Sequence, residues 1–209
     1  MFFISLVTVV QVFASKSQMS YKGDIFYIEQ VLCGKTEAYS LIIDRHKDRG
    51  FNLAFRISGN REDAEEILQD SFLKAFNSLK GFRMKSSFST WFYRIVYNTA
   101  ISRVRSRKNS PLSLEEFPAD YIDFFTKGQT QEETESEYRE SLINFALQKI
   151  SEEERALITL HYYEDLDIRE ISDITGISST NIKVRLFRAR QKMIQIIAKA
   201  EKKNLILNG

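Results

Sequence analysis

The sequence predicts an all-α protein of two small helical domains joined by an acidic linker, the C-terminal domain being a helix-turn-helix. Three observations predict it. Apolar residues recur at three- and four-residue steps over long runs, and no sustained apolar–polar alternation appears. Both prolines, Pro111 and Pro118, fall in one stretch, whereas elsewhere glycines punctuate the helix-period runs. Charge is segregated along the chain although its sum is only +2, from 30 Lys and Arg against 28 Asp and Glu. With 209 residues and 43% hydrophobic content, the chain can bury a core of its own.

Residues 1–18 are an apolar extension, too short for a comfortable membrane span, and no Lys or Arg precedes the apolar run. A start placed upstream of the true one at Met19 is the preferred reading, with a short anchor or a cleaved leader as the alternatives. The first domain is expected over residues 24–108. Tyr39, Ile42 and Ile43, then Phe51, Ala54, Phe55 and Ile57, suggest helices broken near Gly50 and Gly59. Ala64, Ile67, Leu68, Phe72, Ala75, Phe76 and Leu79 form a core-facing stripe on the next helix, and Phe88, Trp91, Phe92, Ile95, Val96 and Thr99 mark another.

Residues 109–137 form the expected linker. Glu115, Glu116, Asp120, Asp123, Glu132, Glu133, Glu135 and Glu137 stand there against Lys127 alone, a net of −7, which favours an extended or loosely ordered segment. Phe117, Tyr121, Phe124 and Phe125 make it too aromatic for a pure spacer, so part of it is expected to dock on a surface. The second domain is expected over 138–203. Leu142, Phe145, Ala146 and Ile150 stripe its first helix, and Ser151-Glu152-Glu153-Glu154 reads as a capping box for the second. Ile168, Ile171 and Ile174 stripe a short third helix. Gly176 supplies the turn, and Ser178 or Ser179 can cap the last helix.

A short helix, a glycine turn and a capped second helix make a helix-turn-helix, which by itself implies duplex DNA binding. Ile182, Leu186, Ala189, Met193 and Ile197 are spaced to face inward, turning Thr180, Asn181, Lys183, Val184, Phe187 and Arg188 outward or to the flanks. Between Ser178 and Lys203 eight basic residues face Glu201 alone, a net of +7. So lopsided a face repels itself unless a polyanion arrives, and Val184 and Phe187 can meet a thymine methyl.

Arg83 to Lys108 is a second basic element, seven bases with no acid. Phe88, Trp91, Phe92, Tyr93 and Tyr97 are interleaved with them, a mixture that suits the stacking of single-stranded bases, with core packing the rival reading for Trp91, Phe92 and Ile95. Just upstream, Arg61 to Asp70 carries a net of −4, an acidic face expected to avoid DNA and to seek a basic protein. Other chemistry finds little support. One cysteine, Cys33, permits no internal disulfide and fits a reducing compartment; it reads as a half-buried residue. His46 and His161 read as ordinary helix or surface residues, so neither a metal site nor a cofactor is expected. No enzymatic constellation and no small-molecule substrate are expected either.

Taken together, these motifs resemble the extracytoplasmic-function group of the sigma-70 family of bacterial RNA polymerase sigma factors, over about residues 24–108 and 138–195. DAEEILQDSFLKAF (63–76) is similar to the helix that docks on core polymerase, which implies that role for Asp63, Glu66, Gln69 and Asp70. SSFSTWFYRIVYNTAISRVRSRK (86–108) is similar to the promoter-melting segment. With the loop before it, this implies minus-ten contacts by Arg83, Lys85, Ser86, Ser87, Phe88, Asn98 and Arg103. The last helix is similar to the minus-thirty-five reader and implies Ser179, Asn181, Lys183, Val184, Arg185, Phe187 and Arg188.

The resemblance also implies core RNA polymerase and promoter DNA as partners, an anti-sigma factor, a cytoplasmic location, and a linker threading polymerase channels. Two departures stand out. Arg83-Met84-Lys85-Ser86 replaces the family's frequent Arg-Gly-x-Ser, removing the glycine that would set the loop's backbone, and Val184 replaces a small polar residue. The rival reading is a stand-alone helix-turn-helix transcriptional regulator.

Overall fold

The structure, a computed structural model, describes residues 21–108 and 135–207; the expectations for residues 1–18 and for the linker up to residue 134 lie outside them. All regular elements among the described residues are helical. The first domain comprises α1 (Tyr21–Leu32), α2 (Tyr39–Ser58), α3 (Arg61–Ser78) and α4 (Phe88–Lys108). The second comprises α5 (Glu135–Gln148), α6 (Glu152–Ile158), a π-helical turn (Thr159–Tyr163), α7 (Ile168–Thr175) and α8 (Ser179–Leu207). Glu135 and Glu137, expected in the linker, lie in the first turn of α5.

Helices α2, α3 and α4 pack against one another around Leu53, Ile57, Ala64, Ile67, Phe72, Phe92 and Val96. Gly50 does not break α2, contrary to expectation; it stands where α3 and α4 leave no room for a side chain. A Cβ there would stand 2.8 Å from Leu68 Cδ1 and 3.0 Å from Phe92 Cε1. Gly59 does end α2, at φ 81°, with its N–H on Phe55 O at 2.8 Å. Asn60 then caps α3 by accepting the Asp63 N–H at 2.7 Å. Phe76, expected in the core, is 37% exposed at the edge of α3, its ring edge-on to that of Tyr39.

His46 and Cys33 also depart from expectation. His46 is buried, donates from Nε2 to Asp24 Oδ2 at 3.0 Å, and packs its ring on Phe88 and Phe92. Cys33 is exposed. In the second domain the Ser151–Glu154 capping box forms as expected. Helix α8 lies across α5, α6 and α7 and buries Ile182, Leu186 and Ala189.

The two domains also pack on each other, α4 against α7 and α2 against α6, within one continuous apolar cluster. At this junction the Tyr93 hydroxyl donates to Glu164 Oε2 at 2.7 Å, and the Arg56 guanidinium lies 3.7 Å from the centre of the Tyr163 ring. Arg49 approaches Glu164 at 3.8 Å, and Arg105 bonds Glu153 at 2.8 Å. No helix among the described residues is long and apolar enough to cross a membrane.

Candidate nucleic-acid interface

Short-range hydrogen bonds fix the turn between α7 and α8. Asp167 accepts the N–H groups of Arg169 and Glu170 at 2.7 and 2.8 Å, while Glu170 reaches back to the Asp167 N–H at 3.0 Å. Gly176, at φ 73°, closes α7 with its N–H on Ser172 O, and Ser172 Oγ donates to Ile177 O across the turn. Ile171 and Ile174 then pack within the same core as Ile182, Leu186 and Ala189, which fixes the rotation of α8.

Asn181, Lys183, Val184, Phe187 and Arg188 therefore face solvent, as their spacing predicts, and Phe187 is 55% exposed. Ser179 is exposed on the first turn. The basic residues of this helix have different neighbours. Arg185 donates to Glu153 Oε2 at 2.7 Å, Arg190 to the Tyr162 hydroxyl at 2.9 Å, and Lys192 to Glu154 at 2.6 Å. Lys183 and Arg188 have no partner among the described residues. Burial would raise the Glu153 pKa, but hydrogen bonds from Arg185 and Arg105 hold it below the usual glutamate value. Glu154 is likewise held low against its burial, by Lys192 and Ser151.

At the start of α4, Ser87 Oγ accepts the Thr90 N–H at 3.0 Å, so this expected DNA residue caps the helix. Arg83, Lys85 and Asn98 are exposed, and Ser86 is half-buried. Met84 adopts φ 54°, so the loop takes a left-handed turn even without the glycine. The expected stacking platform is corrected. Phe88 is 3% exposed and packs among Phe82, Trp91, Phe92 and His46, while Phe92, Tyr93 and Tyr97 are buried as well. Of those five aromatics only Trp91 keeps an accessible edge, because the interval that brings them together is the core-facing period of the helix.

The acidic face of α3 meets the basic face of α4. Arg103 bonds both Asp63 and Glu66, and Arg107 bonds Asp63 at 3.1 Å. Residues expected to serve different partners thus neutralise one another here. Asp63, its side chain 15% exposed, also accepts from Asn60 Nδ2 and is a bracing residue, whereas Glu66, Gln69 and Asp70 remain exposed, with Leu73 beside them.

Sequence reasoning missed Glu164, Tyr163, Arg49 and Arg56 at the domain junction, and Glu153 as the carboxylate shared by Arg105 and Arg185. Glu153 was visible only as part of a capping box; nothing local signals its distant partners.

The family profile described as Sigma-70 region 2 matches residues 42–110, and that described as Sigma-70, region 4 matches residues 141–193. RNA polymerase sigma factor SigV of Bacillus subtilis (strain 168) is 33% identical over 151 residues, 72% of this chain and 86% of that relative. The chain belongs to the sigma-70 family. A second relative of this sigma factor, ECF RNA polymerase sigma factor SigW of the same organism, is 30% identical over 172 residues, 79% of this chain and 92% of the relative. Membership of the extracytoplasmic-function group follows, and the stand-alone regulator gives way because both halves match one family in order.

Two solved sigma structures share the fold. CnrH in complex with the cytosolic domain of CnrY has a TM-score of 0.61 at 19% identity, covering 83% of this chain and 96% of that one. Sigma factor RpoE in complex with the anti-sigma factor NepR, from Bartonella quintana, has a TM-score of 0.59 at 20% identity, covering 77% and 96%.

Proposed function

We propose that this sigma factor binds core RNA polymerase in the cytoplasm, directs it to specific promoters and helps melt DNA for initiation, itself catalysing no reaction. The exposed strip of α3 with Glu66, Gln69, Asp70 and Leu73 is the polymerase-facing surface, charged and apolar at once. Arg83, Lys85 and Asn98 face the minus-ten element, and the outer face of α8 reads the minus-thirty-five element in the major groove. An anti-sigma factor is the expected regulator.

One observation carries this reading: Lys183, Val184, Phe187 and Arg188 project together from the first half of α8, where the neighbouring basic residues Arg185, Arg190 and Lys192 are hydrogen-bonded within the protein. Reconstituted transcription with purified core polymerase, followed by mapping of start sites, tests it. Specific starts should appear only when the chain is added. Removing Lys183 and Arg188 together should reduce use of the upstream element while polymerase co-purification stays intact. Absence of chain-dependent starts, or tight and specific duplex binding by the chain alone, overturns the reading.

A further inference from the structure

Arg185 is bonded on two sides. Besides donating from Nη1 to Glu153 Oε2 at 2.7 Å, it donates from Nε to Asn181 Oδ1 at 3.3 Å, one turn back on the same helix. Glu153, Arg185 and Asn181 thus form a relay from α6 to the first turn of α8. Glu153 bonds Arg105 through its other oxygen, Oε1, so its hold on Arg185 does not require the first domain.

The chemistry of these groups sets the polarity of the Asn181 amide. A guanidinium carries donors and no acceptor, so only the amide oxygen of Asn181 can face it. The Nδ2 group is left on the other side of the carboxamide, and Asn181 is exposed. Asn181, Val184 and Arg188 recur at three- and four-residue steps and share one face of α8. An asparagine free to turn over offers a base either a donor or an acceptor, whereas this one, with its oxygen engaged, offers its N–H groups. Arg185 is committed as well. With Nε and Nη1 both occupied, each of its two forks has lost an arm, and it lacks the free pair of donors that grips guanine O6 and N7. Base edges in the major groove differ in what they ask of such a group. Guanine presents two acceptors, N7 and O6, and cytosine presents only the N4 donor. Adenine is bound best by an asparagine whose oxygen accepts from N6, and Arg185 already uses that oxygen.

We propose that Glu153 is a positioning residue for base selection: through Arg185 it holds the Asn181 carboxamide with its N–H groups outward, so that Asn181 selects a base with acceptors on its major-groove edge, guanine before the others. This rests on the reading of α8 as the minus-thirty-five reader.

Holoenzyme selecting from promoter duplexes randomised over the minus-thirty-five element tests the proposal. The natural chain should favour guanine over cytosine about tenfold at one position, and Asn181→Ala should abolish the preference at that position alone. Glu153→Ala frees Arg185 and should reduce the preference below about threefold. It should also steepen the slope of log affinity against log salt by about 0.9, because the released guanidinium gains a phosphate. A merely structural role for Glu153 would weaken binding and leave the preference as it was. Glu153→Gln keeps an acceptor oxygen for Arg185 and should retain most of the preference. Asn181→Asp offers acceptors only and should turn the preference toward cytosine. Arg105→Ala removes the other partner of Glu153 and should leave the preference unaltered. An Asn181-dependent preference for adenine or cytosine in the natural chain, the absence of any Asn181-dependent preference, or an unaltered preference in Glu153→Ala overturns the proposal. If the natural chain gives no chain-dependent starts, the functional reading fails and base selection falls with it. Hydrogen exchange at the Arg185 Nε–H in the free chain, which Glu153→Ala should quicken, then decides whether the relay itself exists.

Discussion

Met84 holds conformational strain in the loop before α4. An L-residue in the left-handed region costs about 1–2 kcal/mol, and glycine avoids most of that cost while losing about 0.5–1 kcal/mol of chain entropy on folding. Met84→Gly should therefore leave the melting temperature unchanged or raise it by about 2–4 °C, and the β-branched Met84→Val should lower it. Thermal denaturation of both variants checks the sign; destabilisation by glycine would mean that the exposed Met84 side chain has stabilising neighbours of its own. Asp24 tests a buried pair. Burial alone would raise its pKa, but the hydrogen bonds from His46 and Arg45 hold it below 3.8. A carboxyl with a depressed folded-state pKa stabilises the fold above its unfolded value, and that stability is lost as pH falls through the folded one. Asp24→Asn should cost on the order of 3 kcal/mol at pH 7. The gap to the natural protein should narrow below about pH 4 in chemical denaturation, and a gap constant down to pH 2 would refute the assignment.

Element by element, the sequence announced helices through period and caps, and those signals act within a few residues. The Ser151 box, the end of α2 at Gly59 and the Gly176 turn all formed where local chemistry placed them. Gly50 misled because a glycine's reason can lie on another helix: Leu68 and Phe92, not the local backbone, demand its missing Cβ. The aromatic run on α4 misled for a related reason, since a residue type that stacks on bases also fills cores, and its spacing favoured the core. The Asp167 cap went unnoticed, yet it fixes the first turn of α7. Asp167→Ala leaves the N–H groups of Arg169 and Glu170 without their acceptor and should cost about 1 kcal/mol, lowering the melting temperature by about 2–4 °C. Because α7 supports α8, hydrogen exchange should quicken in both helices; quickening confined to α7 would show that the cap acts alone.

Across the whole molecule, charge segregation was legible and charge pairing was not. Net charge along a segment is a sum over neighbours in sequence, whereas Arg103 finds Glu66 and Arg185 finds Glu153 only because helices far apart in sequence cross. Ion pairs at the surface are worth little individually, so their effect is to determine which cations stay available to a polyanion. That distinction predicts two classes of variant on one helix. For every phosphate that the protein no longer neutralises, the slope of log affinity against log salt falls by about 0.9. With holoenzyme titrated on a minus-thirty-five duplex between low and moderate salt, Lys183→Ala with Arg188→Ala should flatten the slope by about 0.9–1.8, the lower figure applying if one side chain reads a base edge instead. Arg190→Ala with Lys192→Ala should leave the slope within about 0.3 and instead lower the melting temperature, since those side chains donate their hydrogen bonds to Tyr162 and Glu154. Equal flattening by both pairs would mean that the internal partners release Arg190 and Lys192 when DNA arrives, and the division of the helix into reading and anchoring charges would fall.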